Sequence, residues 1–539
     1  MSQSPSRQPR WLIFSLAIIP IIGLGVFFLW PFLTLLAEAV TGEAITNTLT
    51  RRSTWEIAWF TLWQATVSTV GTIIIGLTPA YVFARYKFHG RELLVGLLTA
   101  IFVLPTVVMG AAFLALLPTS LDRTIWAVLG AHVVFNLAVV IRVVGTMWEH
   151  LPTDMEAAAA TLGANRWRVF TDISFPLIRP AVTAAAAIVF LFTFTSFGVI
   201  RVLGATGTRT IEVEIWRRTT QLGEISEAAV LALLQLGILA LVVLWSTFAQ
   251  RRHSRALRLE PLSPRRTPRT KGERRFVAIV VGCTAIVASV PLIALAVRSF
   301  STPSGWSTTA WTNLGQTEIR PGIRIGIDPV NALGNSLRIA VWATLIAVVV
   351  GGVAALAIAA AGRSGRFLDT GLMLPLGASA VTIGFGMLIT FDADPFDWRA
   401  SWWLVPVGHA LIAVPFVVRT ALGPLRAVDP AMTEAAATLG AAPARAWREV
   451  VVPYLWRPLA VGAALAAAIS LGEFGATSFL SRSGGETLPI AIEQLLGRTG
   501  SLLQAQGYVL ATMLALTTVV LVAIVDRLRD PGQNEAEGS

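Results

Sequence analysis

The residues that could do chemistry in this chain are few, and their types exclude most kinds of active site. The 539 residues include five histidines, scattered without the spacing of a metal site, and a single cysteine, Cys283. This set builds neither a disulfide framework nor a cysteine-rich zinc or iron–sulfur centre. No nucleophile is paired with a general base, so the sequence gives no support to an enzyme. We expect no catalytic residue, metal or cofactor in this chain.

The sharpest candidate is an ionisable residue inside an apolar segment. Glu473 lies within residues 470–475 (SLGEFG), in a run that is otherwise apolar. A carboxylate at membrane depth favours a cationic or polar solute that passes close to it. The same residue could instead sit near the outer interface or pair with Arg482 or Arg419, and the sequence leaves both readings open.

A related polar break lies at residues 194–198 (FTSFG). Glycine and small polar residues inside a membrane span permit close packing, and irregular backbone at that depth is tolerated where it lines a cavity. We therefore predict that the two breaks line a solute pathway. The candidate pathway residues are Ser196, Phe197, Gly198, Glu473, Phe474 and Gly475.

Helices that cross a membrane must position these residues. Hydrophobic residues make up 55% of the chain, charged residues only 14%, and the mean hydropathy is +0.68, whereas soluble domains carry about 25% charged residues. A spanning helix needs roughly 20 apolar residues. The first such run is roughly twice as long as the apolar core of a signal peptide, so we expect a retained helix. We place twelve spans at residues 11–36, 55–83, 93–117, 126–148, 181–202, 228–248, 276–297, 333–361, 368–391, 402–422, 459–480 and 506–525.

Positive charge is concentrated in one segment, and its position indicates the membrane topology. The net charge is +11, and ten arginines and lysines lie against two glutamates within residues 250–275, together with three prolines. This composition indicates a cytoplasmic linker between membrane domains at residues 1–249 and 276–539, and we expect no nucleic-acid partner. Alternate loops, starting from the N-terminus, are basic, so the positive-inside rule predicts cytoplasmic termini. We expect a multi-pass protein of the plasma (inner) membrane.

The chain repeats itself. Matching residues recur at one constant offset of 277 residues, among them His132 and His409, Arg142 and Arg419, Gly163 and Gly440, and Phe197 and Phe474. An even number of helices per repeat keeps both halves in the same orientation, with a gated pathway between them. The sequence therefore predicts an all-α membrane protein with twelve transmembrane helices in two parallel six-helix repeats. We interpret the repeated histidines and arginines as packing and helix-end residues.

The strongest repeated element is a loop between the fourth and fifth spans of each half. It reads DMEAAAATLGA at residues 154–164 and DPAMTEAAATLGA at residues 429–441. Alanine, leucine and glutamate favour a helix, glycine is typical of its end, and an arginine- and tryptophan-bearing segment follows. We predict a helix-turn-helix on the cytoplasmic face, whose alanine-rich surface another backbone can approach closely.

These loops resemble the EAA motif of binding-protein-dependent ABC importer permeases, and the whole chain is similar to two MetI-like permease domains fused head to tail. The resemblance implies that each loop docks in a groove of a cytoplasmic ATPase. Glu434 stands six residues before its glycine, as the family pattern asks, whereas Glu156 stands seven before, with Ala157 at the matching position. The docking candidates implied are Glu156, Gly163, Ala164, Pro176, Glu434, Gly440, Ala441 and Pro453.

The energy for transport must come from another chain. A Walker A site needs Gly-Lys-Ser/Thr, yet the only lysines, Lys87 and Lys271, follow Tyr86 and Thr270. Two docking loops without an ATPase motif predict two copies of a separate ABC ATPase subunit, which would use the ATP. The resemblance adds an extracytoplasmic solute-binding protein. We expect residues 210–216 and 487–493 on the external side. There they form either the docking site of the solute-binding protein or helices packed on the bundle.

The resemblance also bears on the solute. The single-chain layout, with WQA at residues 63–65 and FNL at residues 135–137, is most similar to thiamine permeases and then to ferric-ion permeases. Thiamine is our first expectation and iron(III) our second, ahead of sulfate, molybdate or polyamine. The rival class is a secondary transporter of the major facilitator type with 6+6 helices, which needs no ATPase. The doubled helix-turn-helix favours the importer.

Overall fold

The computed structural model describes residues 10–204, 208–253, 265–302, 305–316, 318–320, 323–324, 326–362, 364–392, 396–498 and 500–529. Across these residues the regular secondary structure is helical apart from two short antiparallel hairpins. In the hairpins, β1 (Ser301–Thr302) pairs with β2 (Gly305–Trp306), and β3 (Glu318–Arg320) pairs with β4 (Ile323–Arg324).

The helices of the first half follow the apolar runs of the sequence. Their bounds are α1 Arg10–Leu24, α2 Trp30–Ala39, α3 Gly42–Leu49, α4 Arg52–Arg85, α5 Arg91–Val103, α6 Thr106–Leu116, α7 Ile125–Glu149, α8 Thr153–Thr161, α9 Arg166–Val169, α10 Phe175–Phe194, α11 Gly198–Leu203, α12 Ile211–Arg217 and α13 Ile225–His253. Wider π-helical turns join several of them, at Gly25–Leu29, Phe170–Ser174 and Arg218–Leu222.

The second half repeats this order. Its helices are α14 Lys271–Ser299, α15 Thr309–Thr312, α16 Pro329–Ala361, α17 Gly365–Gly377, α18 Ala380–Thr390, α19 Leu404–Ala427, α20 Pro430–Thr438, α21 Pro443–Ala446, α22 Trp456–Gly472, α23 Thr477–Leu480, α24 Leu488–Leu496 and α25 Ser501–Arg529. A π-helical turn at Trp447–Val451 and a 3₁₀ turn at Val452–Leu455 lead into α22. The offset of 277 residues that relates α8 to α20 also relates α9 to α21, so the predicted internal repeat is confirmed.

Ten helices in the described part of the chain are long and apolar enough to cross a membrane singly. The other two crossings are bent pairs, α5 with α6 at 108° and α17 with α18 at 97°. Contacts of α4 with α7 and with the residues just after α7 advance in step along the chain, at Ser68–His132, Gly76–Val140 and Arg85–Leu151. Two parallel neighbours require the chain between them to return across the bilayer, so the bent pair is one crossing.

The second half gives the same result, because α16 and α19 also run parallel. The rings of Trp342 and of Trp402, two residues before α19, meet edge to face with centroids 5.9 Å apart. Nine residues further along α16, Gly351 lies against Val417 of α19. Each half therefore contains six crossings, and the predicted twelve are confirmed. The third and ninth spans, predicted as continuous runs, are bent in the middle.

Both halves have the same orientation. We call the face that carries α8, α9, α20 and α21 the loop face. Just before α14, the backbone N–H of Arg266 donates to Arg85 at the end of α4 (3.0 Å), and Lys87 donates to Arg266 (3.0 Å). Since Arg85 also binds Glu156 of α8, the second half begins on the loop face. Of the predicted linker, residues 250–275, both ends are helical or tied to this face, and residues 254–264 lie outside the described residues.

The first span of each half packs on the other half. Leu24 of α1 lies against Gly371 of α17, and Pro31 of α2 lies against Gly386 of α18. In exchange, α14 packs on α4, α5 and α6. These contacts join the two halves. The hydropathy pattern did not indicate them, because it locates the spans but carries no information about which spans are neighbours.

Candidate functional site

The fifth span of each half is interrupted, and the interruptions meet. Helix α10 ends at Phe194 and α11 starts at Gly198, whereas α22 ends at Gly472 and α23 starts at Thr477. Within the gaps, the rings of Phe197 and Phe474 stack with centroids 5.0 Å apart and an interplanar angle of 29°. The two rings come from different halves, are both buried, and occupy equivalent positions of the repeat.

Glycines allow the interruptions to press against the bent crossings. A Cβ on Gly198 would lie 2.3 Å from the Thr106 hydroxyl at the bend between α5 and α6. A Cβ on Gly475 would lie 3.0 Å from Ala380 at the start of α18. No side chain larger than hydrogen fits at Gly198 without moving its neighbour. The two interruptions and the two bends therefore form one packed layer in the middle of the bundle.

Buried histidines hold both interruptions. In the first half, His132 Nε2 lies 2.8 Å from the Ser196 hydroxyl, and His132 Nδ1 lies 3.2 Å from the Ser68 hydroxyl. In the second half, His409 Nδ1 lies 2.8 Å from the Ser470 hydroxyl. The interpretation of the histidines as packing residues described their burial, but it missed that they bind the breaks. Their recurrence at the repeat offset was the available signal.

Glu473 is engaged within its own half. Its carboxylate accepts hydrogen bonds from the backbone N–H groups of Ala476 and Thr477 (both 2.9 Å) and from the Thr477 hydroxyl (2.7 Å). His409 Nε2 lies 3.3 Å from the same carboxylate and 2.8 Å from the Thr477 hydroxyl. The structure thus pairs Glu473 with neither Arg482 nor Arg419. The Glu473 carboxylate instead caps the start of α23, beside Phe474.

The repeated arginines bind away from the interruptions. Arg142 donates to the Thr99 hydroxyl at 3.2 Å, and Arg419 pairs with Asp369 at 3.3 Å. Both arginine side chains are exposed. Arg142 lies seven residues before the end of α7, and Arg419 lies eight residues before the end of α19, so neither is a helix-end residue.

A polar cavity of about 710 Å³ opens between the halves on the face opposite to the loop face. Phe474 forms part of its wall, and Arg201 and Glu493 face each other across the boundary between the halves and form an ion pair. The Arg201 guanidinium also stacks on the Trp216 ring, 3.9 Å from its centroid. Burial raises the pKa of Glu493, and the charge of Arg201 offsets part of that rise. We call this cavity the vestibule; its other charged lining residues are Arg399, Arg482 and Glu486.

Short helices border the vestibule. Residues 210–216 and 487–493 form most of α12 and α24, which pack on the bundle with buried inner faces. Glu214 of α12 accepts hydrogen bonds from Arg209, Arg217 and Arg218 at 3.0–3.1 Å. Burial alone would raise the pKa of Glu214, but these three arginines outweigh it and hold the pKa below its usual range.

The two loops of the loop face end their first helices in the same way. Gly163 and Gly440 adopt left-handed φ angles of +85° and +86°, which only glycine takes without strain. The N–H groups of Ala164 and Ala441 return to the carbonyls of Ala159 and Ala436, both at 3.0 Å, and close the turn. The predicted helix-turn-helix is present in both halves.

The turns present leucines that sequence reasoning missed. Leu162 and Leu439 each immediately precede a turn glycine and are both 88% exposed. Exposed large apolar residues at repeat-equivalent positions are typical of a protein-binding surface. Pro176 and Pro453, at the ends of the loops, are also exposed, whereas Ala164 and Ala441 are partly buried.

The two candidate glutamates differ in placement. Glu156 turns inward, where its carboxylate accepts from Arg85 at 3.2 Å and from the Ser174 hydroxyl at 2.9 Å. Glu434 is exposed on α20. The difference of one residue in spacing from the turn glycine rotates the two side chains to different sides of the helix, about 100° apart. Only the second-half glutamate is free to face a partner.

Two like-oriented sets of six crossings, with a polar vestibule between them and a repeated loop on one face, define a membrane transport permease. The chain belongs to the family of binding-protein-dependent transport system inner membrane components, which matches residues 72–258 and 271–530. It is therefore an ABC importer permease of the MetI-like type with both permease units in one chain. The family description specifies a binding-protein-dependent system.

The curated relatives extend along nearly the whole chain. The thiamine transport system permease protein of Escherichia coli (strain K12) is 26% identical over 506 residues, which cover 89% of this chain and 90% of the relative. Its counterpart in Salmonella typhimurium is 25% identical, with 98% of each chain covered. The Brucella suis counterpart is 28% identical over 88% of this chain and 87% of its own.

Proposed function

We propose that this chain forms the solute pathway of an ATP-driven importer, and that Phe197 and Phe474 are the gate that closes it. The observation that carries the proposal is the stacking of these rings across the two halves, directly beside the polar vestibule. Stacked aromatic rings exclude water between them, which a closed pathway requires. Ser196, Gly198, Glu473 and Gly475 shape the gate by fixing the interruptions in which its phenylalanines lie.

We infer that the loop face is cytoplasmic, with both termini on that side. Arg265 and Arg266 lie on this face, and the positive-inside rule assigns such residues to the cytoplasm. The loops then contact two copies of an ABC ATPase subunit, which bind and hydrolyse the ATP. Support comes from the matching turns at Gly163 and Gly440 and from the exposed Leu162 and Leu439. Glu434 is the glutamate available for this contact.

The opposite face then receives a solute-binding protein. The vestibule opens there, with α12 and α24 at its border. A solute released from that protein would enter the vestibule above the closed gate. We propose α12 and α24 as part of the docking surface.

Thiamine is the solute that we propose. The support is the similarity to thiamine transport permeases along nearly the whole chain, in the same single-chain layout. Iron(III) remains the second candidate, as an outcome of the test rather than a separate proposal.

Uptake in the native cell tests the function. We expect deletion of the gene to abolish uptake of labelled thiamine, and the wild-type gene to restore it. Normal thiamine uptake together with lost iron(III) uptake would identify iron(III), and not thiamine, as the solute. Uptake that survives ATP depletion but collapses with an ionophore would instead identify a secondary transporter.

A further inference from the structure

We propose that His132 and His409 are positioning residues that latch the gate closed, and that the two latches are unequal. The proposal rests on the proposed function of Phe197 and Phe474 as the gate. We call the contact between His132 and Ser196 the first latch. The second latch is the contact of His409 with Glu473 and Thr477.

The latches act next to the gate residues. Ser196 and Glu473 are equivalent in the repeat, and each directly precedes a gate phenylalanine. Each ring lies between the end of one helix and the start of the next, so the regular helical ladder holds the backbone that carries it less firmly. That backbone depends more on side-chain contacts. The histidines supply those contacts from the neighbouring fourth spans, α7 and α19.

Burial increases the free-energy cost of breaking these contacts. His132 is 2% exposed and His409 is fully buried, and Ser196 and Glu473 are also buried. A buried polar group that loses its partner keeps its desolvation penalty, so each latch favours the arrangement in which its partners stay together. The closed gate is that arrangement in both halves.

The chemistry of the two latches differs. The first latch joins an imidazole to a hydroxyl, with Ser68 as the second partner of the imidazole. In the second latch the carboxylate of Glu473 is also held by the N–H groups of Ala476 and Thr477. Hydrogen bonds to a charged acceptor are roughly twice as strong as neutral ones. The first half should therefore release its phenylalanine more easily than the second.

This inequality predicts an order of effects. Removal of the imidazole in His132→Ala leaves the Ser196 hydroxyl without its histidine, so Phe197 is freed. Removal of the imidazole in His409→Ala leaves Glu473 bound to the start of α23, so Phe474 stays largely in place. Glu473→Ala removes the whole second latch and should free Phe474.

The test measures passive leak through the full chain reconstituted in liposomes without ATP. The probes are labelled thiamine and labelled mannitol, which does not depend on the solute assignment. We expect His132→Ala to raise the leak about fivefold, the factor that corresponds to one lost hydrogen bond. Glu473→Ala should raise it further, because several hydrogen bonds to a charged group are lost. We expect a smaller rise for His409→Ala. His132→Gln, which can place a donor near Ser196, should restore tightness.

Controls separate the latch from the gate. Phe197→Ala and Phe474→Ala should leak strongly; if neither leaks either probe, the proposed gate is wrong. If both leak while His132→Ala and Glu473→Ala stay tight, the latch proposal is overturned and the gate stands. Ser196→Ala removes the other partner of the first latch with little change in volume, so it replaces His132→Ala if that variant reaches the membrane poorly.

Discussion

The two halves share their helices and differ in where they place buried charge. The first half has a hydroxyl, Ser196, beside its gate phenylalanine, whereas the second has a carboxylate, Glu473, at the equivalent position. At one position of the short helices the pattern reverses, because buried Glu214 of α12 corresponds to Ala491 of α24. The repeat therefore fixes the scaffold, and each half uses different positions of that scaffold for electrostatics.

The loops carry the feature that the halves share most closely, so breaking it should have the largest effect. A β-branched residue at a left-handed position costs about 1–2 kcal/mol, roughly tenfold in the population of the turn. We expect Gly440→Val, and equally Gly163→Val, to lower solute-stimulated ATP hydrolysis and copurification of the ATPase about tenfold.

Gly223→Val is the matched control for those variants. Gly223 has a φ of +71° and no neighbour within 4 Å of an added Cβ, but it lies on the opposite face. The strain is alike, so its coupling to ATP hydrolysis should stay normal. Unchanged coupling in both loop variants would remove the docking proposal.

The residue beside each gate phenylalanine differs between the two halves. Glu473→Gln keeps the shape of the side chain but weakens charge-assisted bonds to Thr477 and His409, which are worth about 1.5–3 kcal/mol each. We expect labelled thiamine uptake to fall about tenfold at unchanged membrane abundance. Ser196→Ala breaks only neutral bonds and should have a smaller effect. Normal uptake with Glu473→Gln would show that the carboxylate is dispensable.

The short helices α12 and α24 differ in buried charge. Glu214→Gln would leave three arginines facing a neutral group, and breaking a buried ion pair costs about 3–5 kcal/mol. Because Arg209 and Arg217 are partly exposed, we expect a loss nearer 2 kcal/mol in thermal unfolding. The equivalent position of α24 is Ala491, which is fully buried and uncharged, so α24 has no matching ion pair to break at this position.

The pKa of Glu214 gives this prediction a pH dependence. Its pKa is lowered in the folded protein, so the carboxylate stabilises the fold above its unfolded pKa. That stabilisation is lost as the pH falls through the lower folded value. The stability difference between wild type and Glu214→Gln should therefore shrink on acidification; a constant difference from neutral to acid pH would contradict the pairing.

The smallest expected effect is the difference between variants of the two loop glutamates, Glu156 and Glu434. Glu156→Gln weakens the tie to Arg85, and because Glu156 is partly exposed the loss should be only about 0.5–1 kcal/mol. Glu434→Gln should leave thermal stability unchanged and weaken ATPase binding instead. Copurification with the ATPase and thermal unfolding, measured on both variants, distinguish the roles. Equal behaviour of the two variants would mean that the spacing difference has no consequence.

Much of the scaffold could be predicted from the sequence, because its signals are local or repeated. Membrane spans are long apolar runs, and the loop helix is specified by alanine and glutamate with a glycine at its end. The fixed offset then assigned Gly163 and Gly440 to the same turn. The family resemblance followed from these loops.

The rest depends on contacts between distant parts of the chain. Nothing local indicates that Leu24 packs on Gly371, or that Phe197 faces Phe474. Glu473 stands out in the sequence as an ionisable residue in an apolar run, but its contact with His409 joins two helices and was not foreseen. Arg201 and Glu493 are 292 residues apart, so their ion pair at the vestibule could not be read from spacing.

Cross-linking of the two gate positions tests the central claim most directly. In a Cys283→Ser background, Phe197→Cys and Phe474→Cys should be joined by a short bifunctional thiosulfonate, which forms a disulfide with each thiol, because the centroids of the two replaced rings lie 5.0 Å apart. We predict that the cross-link abolishes thiamine uptake and that its cleavage by reductant restores it. Full uptake with the halves cross-linked would contradict the account, because the solute would then not pass between Phe197 and Phe474.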